Sequence, residues 1–400
     1  MIELLAPAGN YEKLKCALHF GADAVYLGGL KMGLRAQADN FDDAQMCEAV
    51  KLTHELGKKA YVTVNIFAHN RDFGELNEYL AFLQHINVDA IIVSDPGVIA
   101  YAKKVAPDLT LHLSTQANTT NKYSAKFWTE QGVKRLVLAR ELSLGEIKEI
   151  RDFIPDDIEI EAFVHGAMCI SYSGRCLLSD FMTGRHSNLG ACAQSCRWEY
   201  ALMEKTREGE YFPIGEDGRG TYILNSKDLN MSEYIPMLAD SGITSFKIEG
   251  RMKSSYYVAG VVNAYRRAID AYYREGKDYE LPPECRRELS MLSHRMYGTG
   301  FYLGEKGSQC LDTSKPDQKG VFTAMVVKSE SNGAVVEMRN KFCVGDKLEV
   351  MSPSQTNGKF LTVTSIVADG KNVDVADKVQ QTVFLPTDIK LRPFDMLRKS

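Results

Sequence analysis

The stretch IELLAPAGNYEKLKCALHFGADAVYLG, residues 2–28, contains a complete strand–helix–strand unit. Its apolar runs Ile2–Ala6 and Ala24–Gly28 have the length of buried strands, and Tyr11–His19 between them has the spacing of an amphipathic helix. Parallel strands need a crossover connection of this kind. The unit therefore predicts the beginning of a parallel sheet.

The same alternation continues along the chain. Further strands are predicted at Ala60–Ile66, Ala90–Ser94, Leu109–Ser114, Arg135–Ala139, Ile158–Val164 and Ser245–Ile248. Helices are predicted at Asp43–Leu56 and Ser255–Arg274. Eight strand units favour a closed (β/α)8 TIM-like barrel over an open doubly wound sheet, and no G-x-G-x-x-G motif follows any of them. The fold class is thus α/β.

The pattern changes after Lys277, where alternating apolar residues separated by Asn-Gly and Asp-Gly turns replace the strand–helix units. We predict a barrel over residues 1–277 with a cysteine-rich insertion at 165–243, after strand seven. A linker at 278–318 and a small all-β barrel domain at 319–400 follow.

The composition is that of a globular chain, with 44% hydrophobic and 25% charged residues and a formal net charge of −4. There is no global basic field, although a local groove of arginines and lysines can still bind RNA. No apolar run reaches the roughly 18 residues that a membrane span needs, and MIELLAPAGN does not resemble a signal peptide. We expect a cytoplasmic protein with reduced cysteines and no membrane partner.

Four of the nine cysteines, Cys169, Cys176, Cys192 and Cys196, lie in the insertion with the spacing C-x6-C-x15-C-x3-C. Thiolates concentrated in one segment indicate a soft metal ion or an iron–sulfur cluster. Inert buried thiols are a second interpretation. Disulfides are a third, which an odd number of cysteines makes less attractive.

Polar residues stand at the C-terminal tips of the predicted strands, the end that carries the active site in such barrels. They are Asn65, Asp95, Ser114, Gln116, Arg140, His165, Glu249 and Arg251. We select His165 and Glu249 as candidate catalytic residues, with His165 as a proton donor or acceptor near neutral pH. The alternatives are a metal ligand or core histidine for His165, pairing between Glu249 and Arg251, and a capping or loop role for each tip residue.

Several motifs between residue 2 and about residue 304 resemble the collagenase-like peptidase family U32. They are LLAPAGN, GADAVYLGG, LRAQADNF, VTVNIFAHN, LSTQANTTN, VHGAMCISYSGRCLLSDFMTGR, GACAQSCRWEY, NSKDLNMSEYIPMLADSGITSFKIEGRMKSSYYV and YGTGFYLG. GRCLLS and ACAQSCRWEY together are similar to the subgroup that makes 5-hydroxyuridine at the tRNA wobble position with prephenate and without oxygen.

This resemblance implies an iron–sulfur cluster (4Fe-4S) held by Cys169, Cys176 and Cys192, with Cys196 in the fourth place of the subgroup motif A-C-x-x-x-C-R-W. It implies a tRNA anticodon loop and prephenate as partners, with room for a second subunit of the same family. A dicarboxylate such as prephenate calls for planar cations. Arg35, Arg140 and Arg251 are therefore candidates for substrate binding, with Lys247 as a point charge. Asn65 and Gln116 at the strand tips complete the candidate set.

Other functions remain open on the sequence alone. One is a collagenase-like peptidase, although no G-x-S-x-G or H-E-x-x-H motif is present. Others are a hydroxylase of another RNA or of a small molecule, and a non-enzymatic RNA-binding module with structural zinc.

Overall fold

The computed structural model describes residues 1–30, 32–33, 39–66, 68–168, 178–185, 192–195, 198, 201–202, 212–213, 227–304 and 318–399. Its first part contains seven parallel strands: β1 Glu3–Pro7, β2 Ala24–Leu27, β3 Lys59–Val64, β4 Ala90–Val93, β5 Leu111–Leu113, β6 Arg135–Val137 and β7 Glu159–Ala167. The helices between and after them are α1 Tyr11–His19, α2 Asp43–Glu55, α3 Phe73–His85, α4 Pro96–Val105, α5 Lys122–Glu130, α6 Leu144–Arg151 and α7 Leu178–Thr183.

The insertion contributes three short strands before the barrel closes. They are β8 Ala201–Leu202, β9 Phe212–Pro213 and β10 Asp228–Asn230. Strands β8 and β9 pair antiparallel. Helix α8 Ile235–Asp240, strand β11 Ser245–Ile248 and helix α9 Ser255–Glu275 follow.

Strand β11 closes the sheet into a barrel. It is parallel to β1, with Glu3 opposite Ser245, and also parallel to β7, with Ser245 opposite Glu161. The order β11-β1-β2-β3-β4-β5-β6-β7 is thus a ring of eight parallel strands. The predicted TIM-like barrel is confirmed.

Strand β7 is longer than predicted. The sequence indicates a strand ending at Val164, but the strand continues to Ala167. The extra residues pair antiparallel with β10, which places His165 opposite Asn230. Asp228–Asn230 therefore form a strand whose partner is supplied by a distant part of the chain.

The main core lies between the strands and the surrounding helices. A separate apolar cluster fills part of the barrel interior, and its members are Leu5, Ala24, Tyr26, Tyr61, Ala90 and Ile92. Charged side chains occupy the rest of the interior, as described below. None of the described helices is both long and apolar enough to cross a membrane.

The C-terminal part is an antiparallel β domain, as predicted. Its strands are β13 Val321–Glu330, β14 Gly333–Met338, β15 Phe342–Cys343, β16 Lys347–Met351, β17 Phe360–Thr362, β18 Ile366–Ala368, β19 Lys371–Val373, β20 Val375–Ala376, β21 Thr382–Pro386 and β22 Met396–Lys399. The sequence pattern missed β22, which lies between β13 and β16 in the sheet.

The segment between the two parts contains more structure than a linker. Helix α10 runs from Pro283 to Met291, and the two-residue strand β12, Tyr297–Gly298, is parallel to β10. The β domain is joined to this segment by buried ion pairs, because Arg398 of β22 contacts both Glu288 of α10 and Glu349 of β16.

Candidate active site

Arg140 and Glu249 form an ion pair at the C-terminal ends of β6 and β11. Arg140 Nη2 donates to Glu249 Oε2 at 3.0 Å, and its Nη1 donates to the carbonyl of Ala167 at 2.9 Å. The guanidinium lies over the ring of Phe163, 3.8 Å from the centroid. Because both charged side chains are largely shielded from water, this pair is held in one orientation.

Arg251 is a second arginine at this end of the barrel. It is buried, and it donates to Thr63 Oγ1 at 3.3 Å and to Asn40 Oδ1. A Cβ at position 28 would lie 2.5 Å from Arg251 Nη2. Gly28, in the motif GADAVYLGG, therefore makes room for this guanidinium.

His165 lies within β7 rather than at its tip, which corrects the prediction. Its ring is buried in a pocket of three tyrosines, with centroid distances of 6.2 Å to Tyr257, 5.4 Å to Tyr265 and 5.4 Å to Tyr297. Neither ring nitrogen has a hydrogen bond of good geometry among the described residues, although Asn230 lies opposite His165 in the β7–β10 pair. The imidazole thus keeps hydrogen-bonding capacity inside an aromatic pocket.

Burial lowers the pKa of His165 to about 3; His294 acts in the same direction, and the Asn230 side chain opposes both without reversing the shift. Desolvation disfavours the imidazolium, so the ring is neutral near pH 7. The expectation that His165 changes its charge near neutral pH is therefore not supported. A neutral imidazole can still donate from one nitrogen and accept at the other.

Asn65 and Gln116 are brought together as predicted for the strand tips. Asn65 Nδ2 donates to Gln116 Oε1 at 2.7 Å, and Ser114 Oγ donates to the same oxygen at 2.8 Å. Asp95 has the alternative capping role, because its carboxylate accepts a hydrogen bond from the Val98 amide at 2.9 Å at the start of α4.

Lys247 does not lie at the strand tips, and this placement corrects its prediction as a substrate ligand. Its Nζ is in the barrel interior, donates to Glu161 Oε1 at 2.6 Å, and lies 4.5 Å from the centroid of Tyr26. Since both charged groups are buried, Lys247 serves to neutralise Glu161.

A buried network of charges fills the other end of the barrel, and the sequence analysis missed it. Arg135 donates to Glu159 Oε2 at 2.7 Å and to Glu161 Oε2 at 3.1 Å, and it also pairs with Glu3. Burial raises the pKa of Glu3, but the ion pair with Arg135 and the hydrogen bonds from Arg135, Tyr61 and Ser245 together outweigh burial, so the net pKa is lowered. The available signal was the pair of alternating charges at the start of β7, Glu159 and Glu161, which indicates charged groups on the inner face of the strand.

The predicted metal ligands fall mostly on residues that are not described. Cys169, Cys176, Cys196 and Arg35 lie outside the described residues. Cys192 is exposed, and its Sγ accepts the amide N–H of Gln194 at 3.3 Å. No group of three or more His, Cys, Asp or Glu is placed to hold a metal ion within the described ranges. An amide donor at Cys192 suits a thiolate.

The fold and site define a TIM-like barrel with polar strand tips, a cysteine-rich segment after strand seven and a C-terminal β domain. The model of "Peptidase family U32" matches residues 9–312, and that of "Peptidase family U32 C-terminal domain" matches residues 319–398. The chain therefore belongs to peptidase family U32.

Three relatives cover nearly the whole chain. It is 43% identical to "tRNA hydroxylation protein P1" of Bacillus subtilis (strain 168), over 99% of this chain and 94% of the relative. It is 37% identical to "tRNA hydroxylation protein P" of Escherichia coli (strain K12), over 96% and 93%. It is 31% identical to "Collagenase" of Porphyromonas gingivalis (strain ATCC BAA-308 / W83), over 99% and 97%.

Proposed function

We propose that this chain hydroxylates tRNA, and specifically that it converts a wobble uridine into 5-hydroxyuridine with prephenate as co-substrate and an iron–sulfur cluster as cofactor. One observation carries the coarse proposal: similarity along nearly the whole chain to two proteins named for tRNA hydroxylation, at 43% and 37% identity. The finer proposal depends on the chemistry of the residues at the barrel mouth.

Two fixed guanidinium groups support the binding of a dicarboxylate. Arg140 is oriented by Glu249 and by the Ala167 carbonyl, and Arg251 is oriented by Thr63. Planar guanidinium groups match the geometry of carboxylates and lose little freedom when they are already oriented. Prephenate carries two carboxylates, which these two side chains would bind.

His165 is suited to hold a uracil ring. Its neutral imidazole offers one donor and one acceptor, and uracil presents both kinds of group on its edge. Tyr297, half-buried beside it, brings an aromatic ring to the edge of this pocket, with His294 stacked on one of its faces. The wobble base is unpaired in the anticodon loop, so it can leave the stack at low cost.

Cys192 and the three cysteines outside the described residues would hold the cluster. The chain has no other segment with four cysteines so close together, and thiolates are the usual ligands of such clusters. When bound, the cluster would supply a one-electron redox centre. His165 precedes Cys169 by four residues, so the base-binding residue and the first ligand belong to the same stretch of chain.

Analysis of tRNA nucleosides by mass spectrometry tests this function. We expect deletion of the gene, in a strain without a redundant paralogue, to abolish nucleosides derived from 5-hydroxyuridine. The wild-type gene should restore them, and a Cys192→Ala variant should not. Cys47→Ala is the matched control, because Cys47 is also an exposed free cysteine but lies on α2. Unchanged nucleosides after deletion would refute the proposal.

A peptidase is the second candidate, favoured by the relative named Collagenase. A cysteine nucleophile needs a lowered thiol pKa. Among the described cysteines, burial instead raises the pKa of Cys16 and raises that of Cys285 to about 12. Cleavage of gelatin by the purified protein, lost in Cys169→Ala while the cluster remains intact, would favour the peptidase.

A further inference from the structure

Helix α5 carries large aromatic side chains on the outside of the barrel. Tyr123 is 69% exposed and Phe127 is 51% exposed, and Phe153, which follows α6, is 39% exposed. Lys122 and Lys126 lie on the same helix, each one residue before an exposed ring. We call these five residues the α5 aromatic patch.

Four members of the patch contact one another, and the ring of Phe127 contacts Trp128 on the same helix. The rings of Tyr123 and Phe153 are 5.3 Å apart and nearly perpendicular. Lys122 Nζ lies 5.9 Å from the centroid of Tyr123 and 5.4 Å from that of Phe153, and Lys126 Nζ lies 5.8 Å from the centroid of Phe153. The positive charges are thus held against the aromatic faces.

Packing of the barrel does not explain this arrangement. Only Ala125 of α5 is fully buried. Tyr123 and Phe127 are four residues apart and share one helix face, and that face is exposed to solvent instead of packed on the strands. A contiguous exposed apolar patch of this kind usually marks an interaction site.

The charges favour an anionic partner with flat faces. Lys126 also lies 3.9 Å from Glu130, but both groups are exposed, so the pair contributes little and leaves the ammonium available. Asp152, next to Phe153, is paired with Lys148 at 2.6 Å. Aromatic rings that stack on bases, with cations for the phosphates beside them, are the usual means of binding unpaired nucleic acid.

We propose that the α5 aromatic patch binds unpaired nucleotides of the RNA substrate. These nucleotides belong to a part of the RNA other than the loop that enters the barrel mouth. Lys122 and Tyr123 lie in the first turn of α5, and Phe153 lies in the connection from α6 to β7. The patch is therefore on the layer of helices that surrounds the strands, outside the mouth of the barrel. The RNA therefore spans the outer wall as well as the mouth. The identity of this RNA as tRNA rests on the proposed function.

Binding measurements with two RNAs test the proposal. We expect the wild-type protein to bind whole tRNA more tightly than the isolated anticodon stem-loop. The variant Tyr123→Ala/Phe127→Ala/Phe153→Ala should bind whole tRNA about tenfold or more weakly, with unchanged binding of the stem-loop. Lys122→Gln/Lys126→Gln should lower the slope of log affinity against log salt by about one to two. If the triple variant does not fold, Tyr123→Ala alone replaces it.

The matched control is Phe360→Ala on β17, because this ring is also exposed and has Lys347 4.6 Å from its centroid. Equal losses in the control and in the patch variant would overturn the proposal. So would unchanged affinity for whole tRNA, or a change only in oligomeric state, which would make the patch an interface between copies of this chain. Weakened tRNA binding without any hydroxylation would instead keep this inference and reject the proposed function.

Discussion

Arg140 Nη2 and Glu249 Oε2 are 3.0 Å apart and join the ends of β6 and β11, which are not neighbours in the barrel. If this pair orients Arg140 toward prephenate, Glu249→Gln should raise the KM for prephenate about tenfold or more, since a shielded charge partner is lost. Steady-state hydroxylation assays with varied prephenate measure this. Glu146→Gln, at an exposed helix position, should leave KM unchanged; the same increase in both variants would contradict the assignment.

His165 should make stability depend on pH. Its folded-state pKa of about 3 lies below the ordinary value of 6.5, so the unfolded chain binds more protons between these values. The contribution of His165 to the free energy of unfolding is fully present above pH 6.5. It is lost as the pH falls, and the loss is about 2 kcal/mol at pH 5.

Urea unfolding at pH 7 and pH 5 measures this loss. A His165→Phe variant should lose less stability than the wild type between the two pH values. The exposed His85 of α3 provides the control His85→Phe, which should keep the wild-type pH dependence. The burial of His112 also lowers its pKa, so part of the dependence should remain in the His165 variant. Equal pH dependence in all three proteins would contradict the buried neutral state of His165.

The link between the barrel and the β domain should depend on Arg398. It is buried and donates to Glu288 and Glu349. Arg398→Met leaves both carboxylates without this partner and should destabilise the protein by about 3–5 kcal/mol. Thermal unfolding measures the effect, with the exposed Arg392→Met as control. A variant as stable as the control would show that this network does not hold the domains together.

Lys247 should act on stability and not on substrate affinity. Lys247→Met leaves Glu161 without its 2.6 Å partner and should cost about 3–5 kcal/mol. Lys59→Met, at an exposed lysine of β3, is the control and should have little effect. Any Lys247→Met protein that folds should keep its KM for prephenate. A stable variant with a raised KM would show that Lys247 takes part in substrate binding.

The local patterns of the sequence predicted the barrel well. Helix α1 and strand β11 have the predicted bounds residue for residue, because apolar runs, caps and turns near them determine these elements. Strand β7 was predicted too short, because its end is paired with β10, a strand on the far side of the insertion. Pairing between distant segments leaves no local pattern.

The candidate site was predicted only in part, because some of its residues are placed by contacts between distant segments. The rule that strand tips carry function brought Arg140 and Glu249 together, and Asn65 with Gln116. Lys247, chosen as a cation for the dicarboxylate, was misplaced, because side chains alternate along β11 and the position of the interior depends on the closed barrel. The tyrosines around His165 were missed, although Tyr257 and Tyr265 are eight residues apart on one face of α9.

The most direct test of the central claim uses the purified protein, prepared without oxygen, with prephenate and tRNA lacking the modification. We expect the protein to contain iron and sulfide. We also expect mass spectrometry to find the wobble uridine heavier by one oxygen atom, and only when prephenate is present. A protein that contains zinc and no iron, or one that carries the cluster and leaves the uridine unchanged, would contradict this claim.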